Sequence, residues 1–282
     1  MSFPVKLMSN GRIPLTIPLK PWFRDHCFGG KSVMPAVETM LLLAAKVREI
    51  FPEMDIRVME DVRFAKFLEI PPEVATLDCF IEFSEVSDGR VQVKLLSRTQ
   101  FKAMSRMKEH GEIFFSSAHS IADASSEQVN YSSQSTGPVT EISVDHIYRE
   151  LVPFGPTYQT LQETLFLSVN EAWGKVKAPE LHKDFDSMQE IFGSPFPLDG
   201  AFHAACVLGQ QSVDFVPFPV GFARRGITRP TQPGCCYNTK VLQVSRTSDE
   251  LVFDLVIFDD EGRTYEAITG LYMRNVSGAM KK

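Results

Sequence analysis

The sequence predicts an α+β protein made of two tandem units, each a long central helix wrapped by an antiparallel sheet. Three observations carry this expectation: an apolar helical pattern after Pro35, the short β-branched and aromatic runs behind it, and the return of the same order from about Pro197.

In PAVETMLLLAAKVREI, Val37, Met40, Leu41, Ala44 and Val47 fall at helical spacing, while Glu38, Lys46 and Glu49 lie elsewhere. Pro35 suits the first helical turn, where its missing N–H is not needed. Four strand-like runs follow, DVRFAKFLEI, ATLDCFIEFSEV, RVQVKLLSRTQ and HGEIFFSSAH, with Ser87, Asp88 and Gly89 as a turn between the second and third. From Ser120 to Thr140 the chain turns to Ser, Gln and Gly with little to fill a core. The expected division is therefore residues 1–122, a linker at 123–140, and residues 141–282.

The second unit repeats the order: PLDGAFHAACVLGQQ as its helix, then FPVGFARRGIT, CCYNTKVLQV, ELVFDLVIFDD and RTYEAITGLYMR. Pro35 falls on Pro197 at an offset of 162, Ser87-Asp88 on Ser248-Asp249 at 161, and Val62–Lys66 on Val220–Arg224 at 158. Landmarks within four residues of one offset point to a duplicated α+β unit. A long apolar helix wrapped by an antiparallel sheet is the hotdog arrangement, so the expected architecture is a double hotdog.

Composition narrows the function. With 44% hydrophobic and 23% charged residues, the 282-residue chain has the makings of an ordinary globular core. A net charge of −6 argues against nucleic acid as a partner. Cys27, Cys79, Cys206, Cys235 and Cys236 include no CxxC, so neither a zinc site nor a disulfide framework is expected. Reduced thiols, no signal-peptide core in the first thirty residues and no apolar run near the ~20 residues of a membrane span make the expected location cytoplasmic, away from the membrane.

DHCFGGKSVMP, Asp25 to Pro35, ends like a phosphate loop in Gly30, Lys31 and Ser32, but Asp25 stands where the first glycine belongs and would repel phosphate. The alternative centres on His26. Glycines admit a ligand close to the backbone, and the helix after Pro35 presents unpaired N–H groups to an oxygen developing negative charge. In the second unit Asp199 and His203 stand at i and i+4, on one helix face. A purely structural reading makes Asp199 a charge at the helix N-terminus paired with His203. At the 162 offset Asp199 falls on Val37 and His26 on Met188, so each copy carries a polar residue where the other is apolar, and packed helices would join His26 to Asp199 in one composite site. His26, His203 and Asp199 also have the composition of a two-histidine, one-carboxylate iron site. Core packing accounts for most of the 22 phenylalanines, and lining an acyl tunnel is the alternative.

HCFGGKSVMP satisfies HxxxGxxxxP at His26, Gly30 and Pro35, and DGAFH satisfies DxxxQ/H at Asp199 and His203. With FGPTYQTL and FVPFPVGF, the chain resembles the dehydratase domains of polyketide synthases and multifunctional fatty-acid synthases, along nearly its whole length. The resemblance implies a double hotdog that dehydrates a 3-hydroxyacyl thioester, held on the phosphopantetheine arm of an acyl carrier protein, to a trans-2-enoyl product. It implies His26 as the base at C2 and Asp199 as the acid on the departing hydroxyl. His203, Gly30, Pro35 and Tyr158 would be in support, with no metal and no cofactor beyond the carrier's arm. Hydroxide leaves badly unless protonated, so His26 is expected neutral and Asp199 protonated near pH 7.

The chain departs from the family where Phe154 and Tyr158 exchange the tyrosine and phenylalanine of YGPxF and where Ser194 replaces the histidine of HPxxLD. Leu41 occupies the position of the single-hotdog glutamate, with Glu38 on another turn. The rival functions are a product-template-type polyketide cyclase, an enoyl isomerase, and a non-catalytic acyl-binding double hotdog. Arg224, Arg225 and Arg229 form a candidate basic patch for the carrier, with a solvated strand end as the alternative, and a homodimer through a hotdog edge is a further expectation.

Overall fold

The structure is a computed structural model that describes residues 11–86, 88–101, 104–117, 137–181 and 188–276. Ser87 and residues 118–136, which include most of the linker expected at 123–140, lie outside the described residues.

Strand β1 (Arg12–Pro18) leads through a 3-10 turn at Pro21–Asp25 into a short hairpin, β2 (Cys27–Phe28) and β3 (Lys31–Ser32). Helix α1 (Ala36–Ile50) follows, then β4 (Val58–Arg63), β5 (Thr76–Glu85), β6 (Val91–Phe101) and β7 (Met104–Phe115). The rest of the chain supplies β8 (Thr140–Ser143), β9 (Leu161–Leu167), β10 (Glu171–Lys177), helix α2 (Phe196–Gln210), β11 (Pro217–Ile227), β12 (Cys236–Arg246), β13 (Glu250–Phe258) and β14 (Thr264–Asn275). Besides these, one-turn helical segments cover Val144–His146 and Gln189–Phe192.

Among the described residues twelve strands form one sheet in the order β1-β5-β6-β7-β4-β11-β14-β13-β12-β10-β9-β8. Counted outward from the β4–β11 seam, the first half runs β4-β7-β6-β5-β1 and the second β11-β14-β13-β12-β10. The two halves are copies, and β9 and β8 extend the second. Each half-sheet wraps one helix, α1 against β6 and β7, α2 against β10, β12 and β13. This is a double hotdog.

The helices differ in how completely they are enclosed. Every residue of α2 from Phe196 to Gly209 is buried, which fits its nearly unbroken apolar sequence, whereas α1 turns Arg48 and Glu49 to solvent. Met40 and Leu43 of α1 are fully enclosed, as are Phe115, Phe222 and Phe253 of the sheet, each contributing about 1.5–3 kcal/mol of burial.

Several expectations are corrected. The helices start 160 residues apart, at Ala36 and Phe196, so Pro35 corresponds to Pro195 and Asp199 to Thr39 rather than to Val37. Pro35 is the N-cap of α1, one residue before its first turn. Strand β4 ends at Arg63, and the rest of DVRFAKFLEI leaves the sheet. Its backbone is claimed by the segment before α1: Met34 N–H donates to the Leu68 carbonyl at 2.9 Å and Ile70 N–H to that of Ser32 at 2.8 Å. Strand β7 starts six residues before His110, and β1, with its counterpart β10, was not foreseen.

Candidate active site

His26 closes the 3-10 turn. Its N–H donates to the Phe23 carbonyl at 3.2 Å, and its own carbonyl accepts from Val33 N–H at 3.0 Å. The same Val33 supplies the carbonyl 3.1 Å from His26 Nδ1. A carbonyl only accepts, so Nδ1 carries the hydrogen and Nε2 keeps its lone pair. Burial pulls the His26 pKa below 6.5, outweighing the Asp199 carboxylate, which pulls the other way. The imidazole is therefore neutral near pH 7 with its basic nitrogen directed at Asp199.

The loop before β9 holds this residue from the second half. Gly155 N–H donates to the Asp25 carbonyl at 2.7 Å, and Thr157 donates from N–H and Oγ1 to Asp25 Oδ2 at 3.0 and 2.6 Å. A Cβ on Gly155 would lie 2.7 Å from the Asp25 Cβ, so only glycine permits the approach. The clamp lays Phe154 flat on His26, with ring centroids 4.4 Å apart and planes 17° from parallel, and sets Tyr158 edge-on at 5.1 Å. Phe154 also lies 5.0 Å from His203.

Asp199 stands in the first turn of α2 and His203 one turn later. His203 Nε2 is 3.0 Å from Asp199 Oδ2, while His26 Nε2 is 4.0 Å from Asp199 Oδ1. The 3.0 Å contact is off-line: neither Asp199 Oδ2 nor His203 Nε2 has an aligned hydrogen bond. His203 Nδ1 faces the Tyr148 hydroxyl at 3.2 Å, and that hydroxyl accepts from Leu161 N–H at 2.8 Å. A hydroxyl both donates and accepts, so His203 can present either an N–H or a lone pair to Asp199.

All three side chains line a cavity of about 660 Å³ between the halves. Phe28, Phe67, Phe154, Phe202 and Phe218 are among its walls, so part of the phenylalanine content lines this cavity. The Lys31–Glu69 ion pair, 3.1 Å and half-exposed, lies on its lining. Cys206 lines it too, one turn beyond His203, but burial pushes its thiol up to about 12 and leaves it unreactive.

The other expected residues act indirectly. Gly30 is not on the cavity wall: Gly29 and Gly30, with φ of 57° and 77°, make the turn of the β2–β3 hairpin, and the space around Gly30 is open. Glycine is required there by backbone conformation, not by room for a ligand. Pro35 lacks a capping side chain and leaves the first N–H groups of α1 unpaired beside Ala36, which lines the cavity. Tyr158 is fully buried behind His26.

Leu41 is buried, and Glu38 is engaged by Lys20 Nζ at 3.2 Å and Trp22 Nε1 at 3.3 Å, so neither offers the cavity a carboxylate. Ser194 is tied through its backbone to Thr231. Arg225 does not belong to any carrier-docking patch: it is 2% exposed, paired with Glu266 and set among Met40, Met59 and Phe192. Arg229 is exposed and Arg224 half-buried. His26 and His203 approach different oxygens of Asp199, and among the described residues no three His, Cys, Asp or Glu side chains are grouped to hold a metal ion.

Comparison with known proteins adds the family. The model for the polyketide synthase dehydratase N-terminal domain matches residues 126–281, more than half of the chain, a stretch that holds Asp199 and His203. The chain belongs to the polyketide synthase dehydratase family. Among solved structures, this family member is similar to a trans-AT polyketide synthase dehydratase domain from Brevibacillus brevis, with a TM-score of 0.71, 16% identity, and 95% and 94% of the two chains covered. It is also similar to the dehydratase domain of the CurJ module of the curacin polyketide synthase (TM-score 0.70, 15% identity, 97% and 93% covered). A third is a bifunctional dehydratase-cyclase domain of ambruticin biosynthesis (TM-score 0.67, 14% identity, 93% and 91% covered). At these identities the likeness is one of fold. No curated protein sequence matches the chain. No helix among the described residues is long and apolar enough to cross a membrane.

Proposed function

We propose that this dehydratase-family chain converts a 3-hydroxyacyl thioester, presented in the cytoplasm by an acyl carrier protein, into the trans-2-enoyl thioester. The observation that carries the reading is the unprotonated Nε2 of His26, 4.0 Å from Asp199 Oδ1 across the floor of an apolar cavity. His26 takes the C2 proton, the first N–H groups of α1 hold the thioester oxygen as it gains charge, and Asp199 protonates the departing hydroxyl. Base and acid stand on one side of the substrate, at a separation that suits neighbouring C2–H and C3–O bonds on the same face. The elimination is therefore syn. The carrier's phosphopantetheine is part of the substrate, and the mechanism calls on no other cofactor. An isomerase moving a proton between carbons has no need of an acid against a leaving hydroxyl, and Asp199 favours dehydration over that alternative.

The test is incubation with a 3-hydroxyacyl thioester of a pantetheine mimic, following loss of water by mass. His26→Ala and Asp199→Asn are each expected to lower the rate by about 10²–10⁴ with the fold intact. Activity that survives both substitutions, or a cyclised product of unchanged mass, overturns the reading.

A further inference from the structure

His26 and His203 both turn a ring nitrogen to Asp199, and the hydrogen on each ring decides what that nitrogen offers. The Val33 carbonyl settles the matter for His26. For His203 the deciding group is Tyr148, from the wide helical turn at Ile147–Leu151. Tyr148 is buried and is not among the cavity walls. Two groups are aligned on its hydroxyl oxygen, Leu161 N–H at 2.8 Å and His203 Nδ1 at 3.2 Å. An amide N–H only donates, and the Thr160 hydroxyl bears on the same oxygen as a further donor. The hydroxyl's own hydrogen is left for His203 Nδ1. Burial holds the Tyr148 phenol well above its ordinary range, so that hydrogen is present near neutral pH. Were Nδ1 protonated instead, donors would converge on one oxygen and the Tyr148 hydrogen would be buried with no acceptor, an arrangement that folded proteins avoid.

We propose that Tyr148 fixes His203 with its hydrogen on Nε2, the reverse of His26, so that His203 donates to Asp199 Oδ2 and the acid's proton sits on Oδ1. The role in turnover rests on the dehydratase reading, whereas the placement of the hydrogens does not. His203 Nε2 is 3.0 Å from Asp199 Oδ2, and neither atom has another hydrogen-bond partner among the described residues. The N–H of the one has only the oxygen of the other to serve. In a carboxylic acid the oxygen that receives an N–H is the carbonyl one, and the proton goes to its neighbour. With the opposite tautomer, a lone pair on Nε2 would draw that proton onto the enclosed Oδ2. Oδ1 is the oxygen that faces His26, 4.0 Å from its Nε2, where acid and base can meet neighbouring carbons. In the elimination the C2–H bond gives its proton to His26 Nε2 and its electron pair to the new C2=C3 bond. The C3–O bond breaks with its pair on oxygen, and the Oδ1 proton completes a water molecule. Asp199 is left as a carboxylate that the His203 N–H already holds. Tyr148 and His203 are positioning residues, since they act through Asp199.

Two measurements test this. The first requires no turnover: the imidazole ¹⁵N shifts of histidine-labelled protein near neutral pH, with His203 identified by the signals that His203→Gln removes. His203 is expected to show a protonated Nε2 and a bare Nδ1, and His26 the reverse. Tyr148→Phe should turn His203 into a mixture of tautomers. A hydrogen on His203 Nδ1 in the unaltered protein, alone or together with one on Nε2, overturns the assignment, as does a pattern indifferent to Tyr148→Phe. The unaltered protein decides the tautomer even where that variant fails to fold. The second measurement is dehydration of a 3-hydroxyacyl pantetheine thioester. Tyr148→Phe is expected to lower kcat about 10-fold, the worth of one hydrogen bond, with KM little changed. The amide of His203→Gln carries N–H groups whatever faces it, so Tyr148→Phe should cost little further in that background. Equal losses in the two backgrounds would mean that Tyr148 only braces Leu161, and they overturn the role, as does a His203→Gln protein with no activity. An unaltered protein that forms no enoyl product fails the dehydratase reading and with it the role, while the spectrum still decides the tautomer.

Discussion

His26 owes its basicity to three contacts. The Val33 carbonyl fixes its tautomer, Phe154 fixes the plane of its ring, and the surrounding core keeps it neutral. Its pKa lies below 6.5, so the acidic limb of the pH dependence of kcat/KM is expected below pH 6.5. A pH profile with no acidic limb at all, down to the pH at which the protein unfolds, would remove His26 as the base. Asp25 is not among the cavity walls, yet it receives both Thr157 hydrogen bonds that seat the loop over His26. Asp25→Ala is expected to lower kcat by about 10- to 100-fold, the scale on which small displacements of a catalytic group act, with little change in KM in steady-state assays.

At the scale of elements, the proposed catalytic pair joins structures from both halves: the turn and hairpin before α1, the first turns of α2, and the loop before β9. That loop is seated by one tight approach, Gly155 on Asp25. Gly155→Ala is therefore expected to cost about 1–3 kcal/mol, as overpacking does, and to reduce activity with it. Gly30→Ala strains an exposed hairpin turn without entering the cavity, and about 1 kcal/mol with nearly normal kcat is its expected outcome. Urea unfolding and steady-state assays on the two variants would separate these effects. The elements whose patterns are local were legible in the sequence: α1 and α2 from their apolar spacing, and β5, β6 and β11–β14 from their runs. The stretch 64–70 reads as strand for the same reason, but its partners are residues 32–34, which composition does not reveal. The loop at 154–158 was legible only as a departure from a family motif. Nothing in FGPTYQTL says that Phe154 will lie on a histidine 128 positions away.

The whole molecule is one sheet with a pseudo-symmetric seam. At β4–β11 the Arg225–Glu266 pair is enclosed among side chains of both halves, so an arginine that looks like surface charge in ARRGITRP is part of the core. The protein also carries a second buried neutral imidazole. Burial lowers the pKa of His110, whose Nδ1 donates to the Lys66 carbonyl at 3.0 Å and whose Nε2 faces Ser97 Oγ at 2.7 Å. For both histidines the folded pKa lies below the unfolded value of about 6.5, so the unfolded chain binds protons first as pH falls. Stability from this source is expected to hold above pH 6.5 and to decline as pH drops through 6.5 toward the folded values. His26→Gln should make that decline shallower in urea unfolding at pH 7.5 and 5.5, and an unchanged slope would mean that His26 binds its proton in the fold as readily as in the unfolded chain.

The duplicated α+β units, the two apolar helices and the residues proposed as acid and base can all be read along the chain. Apolar periodicity records which face of each segment must leave water, and that property is local to the chain. It takes the folded chain to align Asp199 with Thr39, to make Gly30 part of a hairpin turn, to bury Arg225 and to bring His26 within 4.0 Å of Asp199. These depend on how two half-sheets pack around two helices and on how a loop of one half closes on the other. The repeat offset brings the two residues to one composite site, but no spacing along the chain fixes the distance between groups that far apart in sequence.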